Sequence, residues 1–147
     1  MISPVHMFKA ASGVVCGAAL ATAAAASTAP EVYVCAITKS GGFFADEMVF
    51  ALQPDEMTGM VVDPLLLYYN DGRGREAVIT ERTDRKTVFR WELPMTSMSG
   101  QNAVMRFRGV LQRPSLRFLV SAQPSGFQTI FTGRGRCQPA EVEIEGL

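Results

Sequence analysis

Six arginines dominate the chemistry open to this sequence: Arg90, Arg106, Arg108, Arg117, Arg134 and Arg136. A guanidinium is charged at every accessible pH. Its fork of donors matches the oxygens of carboxylate, phosphate or sulfate. The surrounding charge is segregated along the chain. Residues 27–84 carry 10 acidic and 4 basic side chains, whereas residues 85–137 carry 9 basic and 1 acidic. Such a split has two readings. One is a docking face for an anionic partner, such as a polysaccharide, lipid head groups or an acidic protein; the other is a dipolar solvated surface with some arginines paired to nearby carboxylates.

Most catalytic chemistry lacks its residues. The single histidine, His6, lies in the first segment of the chain, so residues 27–147 contain none. That removes Ser-His and Cys-His nucleophile pairs, imidazole zinc sites and the usual general base near neutral pH. Lys39 and Lys86 are the only lysines after residue 26. The acidic pairs Asp46/Glu47 and Asp55/Glu56 are adjacent in sequence, so on a strand they point to opposite faces. Glycosidase-type catalysis needs two carboxyls converging across a cleft. The sequence therefore points to a protein that is not an enzyme, with no cofactor and no metal.

Other motifs have structural readings. Gly133-Arg134-Gly135-Arg136-Cys137 lacks the Lys-Ser/Thr ending of a phosphate loop and has no helix after it. Its glycines suit a closing strand that approaches its neighbours or bulges beside a cysteine. Met57/Met60 and Met95/Met98 share a spacing that could hold copper(I) through thioethers. Without histidine or thiolate support they read as gap-filling side chains. Asn70-Asp71-Gly72 is a hairpin turn lacking the further ligands of a calcium loop. Trp91 is a core anchor, or a cavity lining if the interior is hollow.

These residues must be carried by a scaffold, and its first segment has a different task. Lys9 followed by residues 10–26, 17 small or apolar residues without charge, reads as a secretory signal peptide. Cleavage after Ala26 leaves a domain at 27–139 and an acidic flexible tail at 140–147, with no membrane span. Val15 before Cys16 is too bulky for lipoprotein processing. Cys35 and Cys137 remain, an even pair in an oxidising compartment, which implies a disulfide; two free thiols or a shared metal site are the alternatives.

The rest of the chain alternates in short stretches between turn residues, the pattern of an antiparallel all-β domain. Eight strands are expected over residues 32–38, 47–53, 60–69, 76–83, 87–93, 103–112, 116–123 and 127–137. The third is broken at Asp63-Pro64, and Leu65-Leu66-Leu67 could form a helical turn capping one mouth. Phe89, Trp91 and Leu93 oppose Val88, Arg90 and Glu92. Met105, Phe107 and Leu111 oppose Arg106, Arg108 and Gln112, and in the seventh strand Leu116, Phe118 and Val120 oppose Arg117 and Ser121. Phe127, Phe131, Gly133, Gly135 and Cys137 oppose Gln128, Thr132, Arg134 and Arg136. A disulfide requires neighbouring Cα atoms, so it brings the first and last strands together. Eight sequential strands whose ends meet describe an antiparallel up-and-down barrel closed by one disulfide, with a β-sandwich as the alternative.

Tyr33-x-Cys35, Arg90-Trp91-Glu92-Leu93 and Gly133-Arg134-Gly135-Arg136-Cys137 together resemble an uncharacterised family of small exported bacterial β proteins. The likeness covers most of the chain after residue 26 and implies no activity. The end-to-end cysteine pair is similar to that of periplasmic C-type lysozyme inhibitors, which are small eight-stranded barrels. Their inhibitory loop carries Ser-Gly-x-x-Tyr; here Ser99-Gly100-Gln101-Asn102-Ala103 has alanine in place of the tyrosine. The expected function is a periplasmic or secreted binding or interaction module of the cell envelope, docking an anionic envelope component or an acidic protein, and not nucleic acid. A carrier of a small apolar ligand inside the barrel and an inhibitor of an envelope-degrading enzyme are the alternatives.

Overall fold

A computed structural model describes residues 29–39, 41–54 and 56–141. The expected signal peptide at 1–26 and residues 142–147 of the expected tail lie outside them. Eight strands run in chain order: β1 Glu31–Lys39, β2 Glu47–Leu52, β3 Thr58–Val62, β4 Arg75–Arg82, β5 Lys86–Thr96, β6 Asn102–Gln112, β7 Arg117–Pro124 and β8 Phe131–Ala140. Each pairs antiparallel with its sequence neighbour, and β8 pairs with β1, giving one closed barrel. This excludes the two-sheet sandwich. Cys35 registers directly with Cys137 across the β1–β8 ladder, and the two are disulfide-bonded.

Alternation sets the inside of the barrel. Phe89, Trp91 and Leu93 of β5 and Met105, Phe107 and Leu111 of β6 all join the core. Their aromatic rings form a continuous column. Phe118, Phe50 and Phe89 cluster at one end, with Phe50 centroids 4.5 Å from Phe89 and 5.2 Å from Phe118. Trp91 follows, lying parallel to Phe107 at 5.1 Å. Phe44, Phe43 and Phe131 complete the column, with Phe43 stacked on Phe131 at 4.3 Å. The interior is thus packed with side chains, and Trp91 is the core anchor. Gly109 faces Phe89 across the β5–β6 ladder, and a Cβ there would lie 2.8 Å from the ring's Cδ2, so only glycine lets the ring lie flat across β6.

The third expected strand is in fact two elements. β3 ends at Val62, and Asp63-Pro64 starts a helix, α1 (Pro64–Tyr69), whose fully buried Leu66 closes one mouth of the barrel. Asp63 supplies the N-cap, accepting from Leu66 N at 2.8 Å, and Pro64 takes the first turn, where its missing N–H costs nothing. Asn70-Asp71-Gly72 is therefore the exit from α1 and not a strand-to-strand hairpin. Asp71 and Gly72 both have positive φ, and the Asn70 amide donates to the carbonyls of Arg73 and Gly74.

Four further expectations are corrected. β8 begins at Phe131, not Phe127, and Phe127 is exposed. Leu116 stands before β7 with φ 55°, a left-handed turn residue. Val88 is buried on the outer side, where a bulge in β4 between Ile79 and Glu81 shifts the register over it. β8 continues to Ala140, one residue into the expected tail.

The opposite mouth is closed by polar groups. Arg113, from the β6–β7 turn, donates to the buried hydroxyl of Thr87 at 2.6 Å and to the hydroxyl of Tyr33 at 3.3 Å. It also lies over the Tyr33 ring, and it pairs with Glu31 at 3.5 Å. Arg82 reaches the same Glu31 oxygen at 3.8 Å and donates to the backbone of Gln53.

Candidate functional site

The outward residues of β5 to β8 form the candidate site. Because the barrel closes in chain order, the basic half of the sequence becomes one continuous side of the molecule. All six arginines are exposed there, on the phase opposite the core residues. Hairpin register then decides which of them meet.

Arg117 stands directly opposite Arg136 on β8. Arg134 lies two residues along β8, on the same face, about 7 Å away along the strand. The three line one outer groove of about 600 Å³ with Thr38 and Gln112. Among the described residues none of the three has an ion pair. Arg90 and Arg108 form a second directly opposed couple across β5–β6, again unpaired with any described carboxylate. Arg90, however, opens onto a different groove, with Arg75, Glu76 and Val78. Arg106 is neutralised: it registers with Glu92, and their side chains pair at 3.3 Å. Five of the six arginines therefore have no ion pair among the described residues, and three of them share a concavity.

Gly133 and Gly135 take the inward phase of β8, alternating with the outward Arg134 and Arg136. A Cβ on Gly135 would collide with the Ala36 carbonyl of β1, so that glycine serves close strand approach, while a Cβ on Gly133 would press on the side chains of Phe44, Val120 and Ile37. The two glycines also thin the strand beneath Arg134 and Arg136.

An apolar lane runs beside the arginines. Leu119 registers with Arg134 and is 44% exposed; Ile130, just before β8, is 58% exposed. Both line a second recess of about 590 Å³ with Phe131 and Gly133, and Arg134 and Leu119 border both hollows. Neither Leu119 nor Ile130 belongs to the charged or aromatic sets that mark out the rest of the face. The available signal was Leu119 itself, an apolar side chain on the wet phase of β7 between Arg117 and Ser121.

The remaining candidates do not assemble. Met57 and Met60 are exposed, not gap-filling, and they lie at the other end of the barrel from Met95 and Met98. Among the described residues no three of the histidine, cysteine and carboxylate side chains cluster to hold a metal. Ser99-Gly100 occupies the exposed tip of the β5–β6 hairpin, where Ser97 and Ser99 hydroxyls lie 2.8 Å apart. The helix-capped mouth carries a recess of about 580 Å³ bordered by Tyr69, Met95, Met105 and Phe127. Among the described residues no helix is long and apolar enough to cross a membrane.

No protein family, curated protein or solved structure matches this chain, so its surface is read from its own geometry.

Proposed function

We propose that the protein is a non-enzymatic binding module, exported to the bacterial periplasm or beyond, that docks an anionic component of the cell envelope on the outer face of β5–β8. One observation carries this reading: Arg117 faces Arg136, and Arg90 faces Arg108, with no described carboxylate paired to any of the four. Like charges placed directly opposite each other on a sheet destabilise it. A surface that keeps two such couples gains from a partner that supplies the missing negative charge. The Cys35–Cys137 disulfide suits an oxidising compartment and supports the export half of the reading.

Retention of the purified protein on an immobilised polyanion, followed against salt, tests the proposal. The wild type should bind at low ionic strength and elute as salt rises. Arg117→Gln/Arg136→Gln and Arg90→Gln/Arg108→Gln should elute earlier, whereas Arg85→Gln, in the turn between β4 and β5 and outside these grooves, should not. Flow-through of the wild type at low salt would remove the reading.

A further inference from the structure

The geometry points to a single anionic amphiphile as the ligand of the β7–β8 face: an anionic head group held by Arg117, Arg134 and Arg136, and its hydrocarbon chain lying along Leu119 and Ile130. The inference rests on the anion-docking reading above and narrows it to one ligand class.

Two hollows of about 600 and 590 Å³ lie side by side on this face and share Arg134 and Leu119 as their border. The first is lined by three unpaired guanidiniums and the hydrogen-bonding side chains of Thr38 and Gln112. Three forked donors around one concavity match a tetrahedral or planar oxyanion. The second is lined by the exposed side chains of Leu119 and Ile130 together with Phe131, Thr132, Gly133 and Gly41, and Arg134 is its only charged side chain. Leu119, on the outward phase of β7, and Ile130, just before β8, are 44% and 58% exposed among Arg117, Ser121, Thr132, Arg134 and Arg136. A purely polar anion would leave that apolar lane wet, and a purely apolar ligand would leave three guanidiniums without counter-charge. A molecule with both parts satisfies both hollows from one position. The packed aromatic column leaves no room for a chain inside the barrel, so a chain bound beside these arginines lies on the outer surface.

Calorimetric titration of the purified protein with octyl phosphate, inorganic phosphate and octyl glucoside, each below its micelle concentration, tests the assignment. Octyl phosphate should bind at least roughly tenfold tighter than inorganic phosphate, the gain from burying about two methylene groups. Octyl glucoside should show no saturable binding. Ile130→Gln, at a residue lining only the second hollow, should bring octyl phosphate down towards inorganic phosphate and leave phosphate itself unchanged; Leu119→Gln should shrink the octyl advantage, and Arg134→Gln should weaken both. Both apolar positions are exposed, so an unchanged melting curve will show that the variants fold. Equal affinity for octyl phosphate and phosphate overturns the inference, as does octyl glucoside binding as well as octyl phosphate, or an octyl advantage that survives both apolar substitutions. If those results appear while polyanion retention still depends on the arginines, the amphiphile falls and anion docking stands; loss of polyanion retention removes both.

Discussion

Arg117 and Arg136 face each other across the β7–β8 ladder, both exposed, with no ion pair to either among the described residues. Arg136→Glu would replace a like-charged cross-strand couple by an opposite one. It should stabilise the protein by about 0.2–1 kcal/mol at low salt, and less as salt screens the pair. The same substitution should cut polyanion retention. Urea midpoints at two salt concentrations, read beside the elution position, check both. Unchanged stability with unchanged retention would mean that the couple is an idle feature of the surface.

The barrel and the arginine face were legible for one reason. Alternation with a period of two fixes which side chains share a face, and Cys35 with Cys137 fixes which strands close the cylinder. What alternation cannot supply is register. Arg106 looked equivalent to Arg108 until the β5–β6 hairpin set it opposite Glu92. Val88 keeps its outward phase yet is buried, because register sets it opposite Val110, a second buried apolar residue on the outer side. The Asp63-Pro64 step reads equally as a broken strand and as the start of a helical turn over Leu65-Leu66-Leu67, and α1 settles it for the helix. Phe127 was placed in β8 because alternation continues through it; the chain instead turns there, and Phe127 and Ile130 are left exposed.

The disulfide should carry a large share of the stability. It closes a separation of 102 residues, and loops of that size are worth about 4–5 kcal/mol on the chain-entropy model, with measured losses nearer 2–5. Cys35→Ala/Cys137→Ala should lower the unfolding free energy by that amount. Both sulfurs belong to buried residues, so reductant should act on the native protein only as fast as it opens. Coincident denaturation curves with and without reductant, on samples whose thiols have been counted, would contradict this.

Arg113 should matter more than its place in a turn suggests. Its donor to Thr87 Oγ1 at 2.6 Å satisfies a fully buried hydroxyl, while its other nitrogen serves Tyr33 and Glu31. Arg113→Ala strands the Thr87 hydroxyl and uncovers the Tyr33 ring, costing about 1–3 kcal/mol. Arg113→Lys keeps the charge but loses the fork that reaches both sides, so it should recover only part of the loss. Adding Thr87→Val to Arg113→Ala should cost less than the two single changes summed, because the orphaned hydroxyl is gone. Strict additivity would argue against the shared bond.

Asp63 makes the helix-capped mouth pH-sensitive in an unusual direction. Burial pushes its carboxyl above the ordinary 3.8, while the backbone N–H groups of Leu66 and Leu65 pull it down without restoring it. Between the unfolded and native values the native state keeps a proton that the unfolded chain has lost. Stability from this group is therefore full below the unfolded value and is lost as pH rises through the native one. Asparagine at this position accepts the same cap bond without a charge to desolvate. Asp63→Asn should match the wild type in acid and become the more stable of the two towards neutrality. Asp63→Ala removes the acceptor and should cost about 0.5–2 kcal/mol, most clearly in acid where no charge penalty is relieved. Urea midpoints of the three proteins between about pH 3 and about pH 7 separate the effects. A wild type that gains on Asp63→Asn as pH rises would show that the ionised carboxylate is the better cap. Burial would then not be the dominant influence on that side chain.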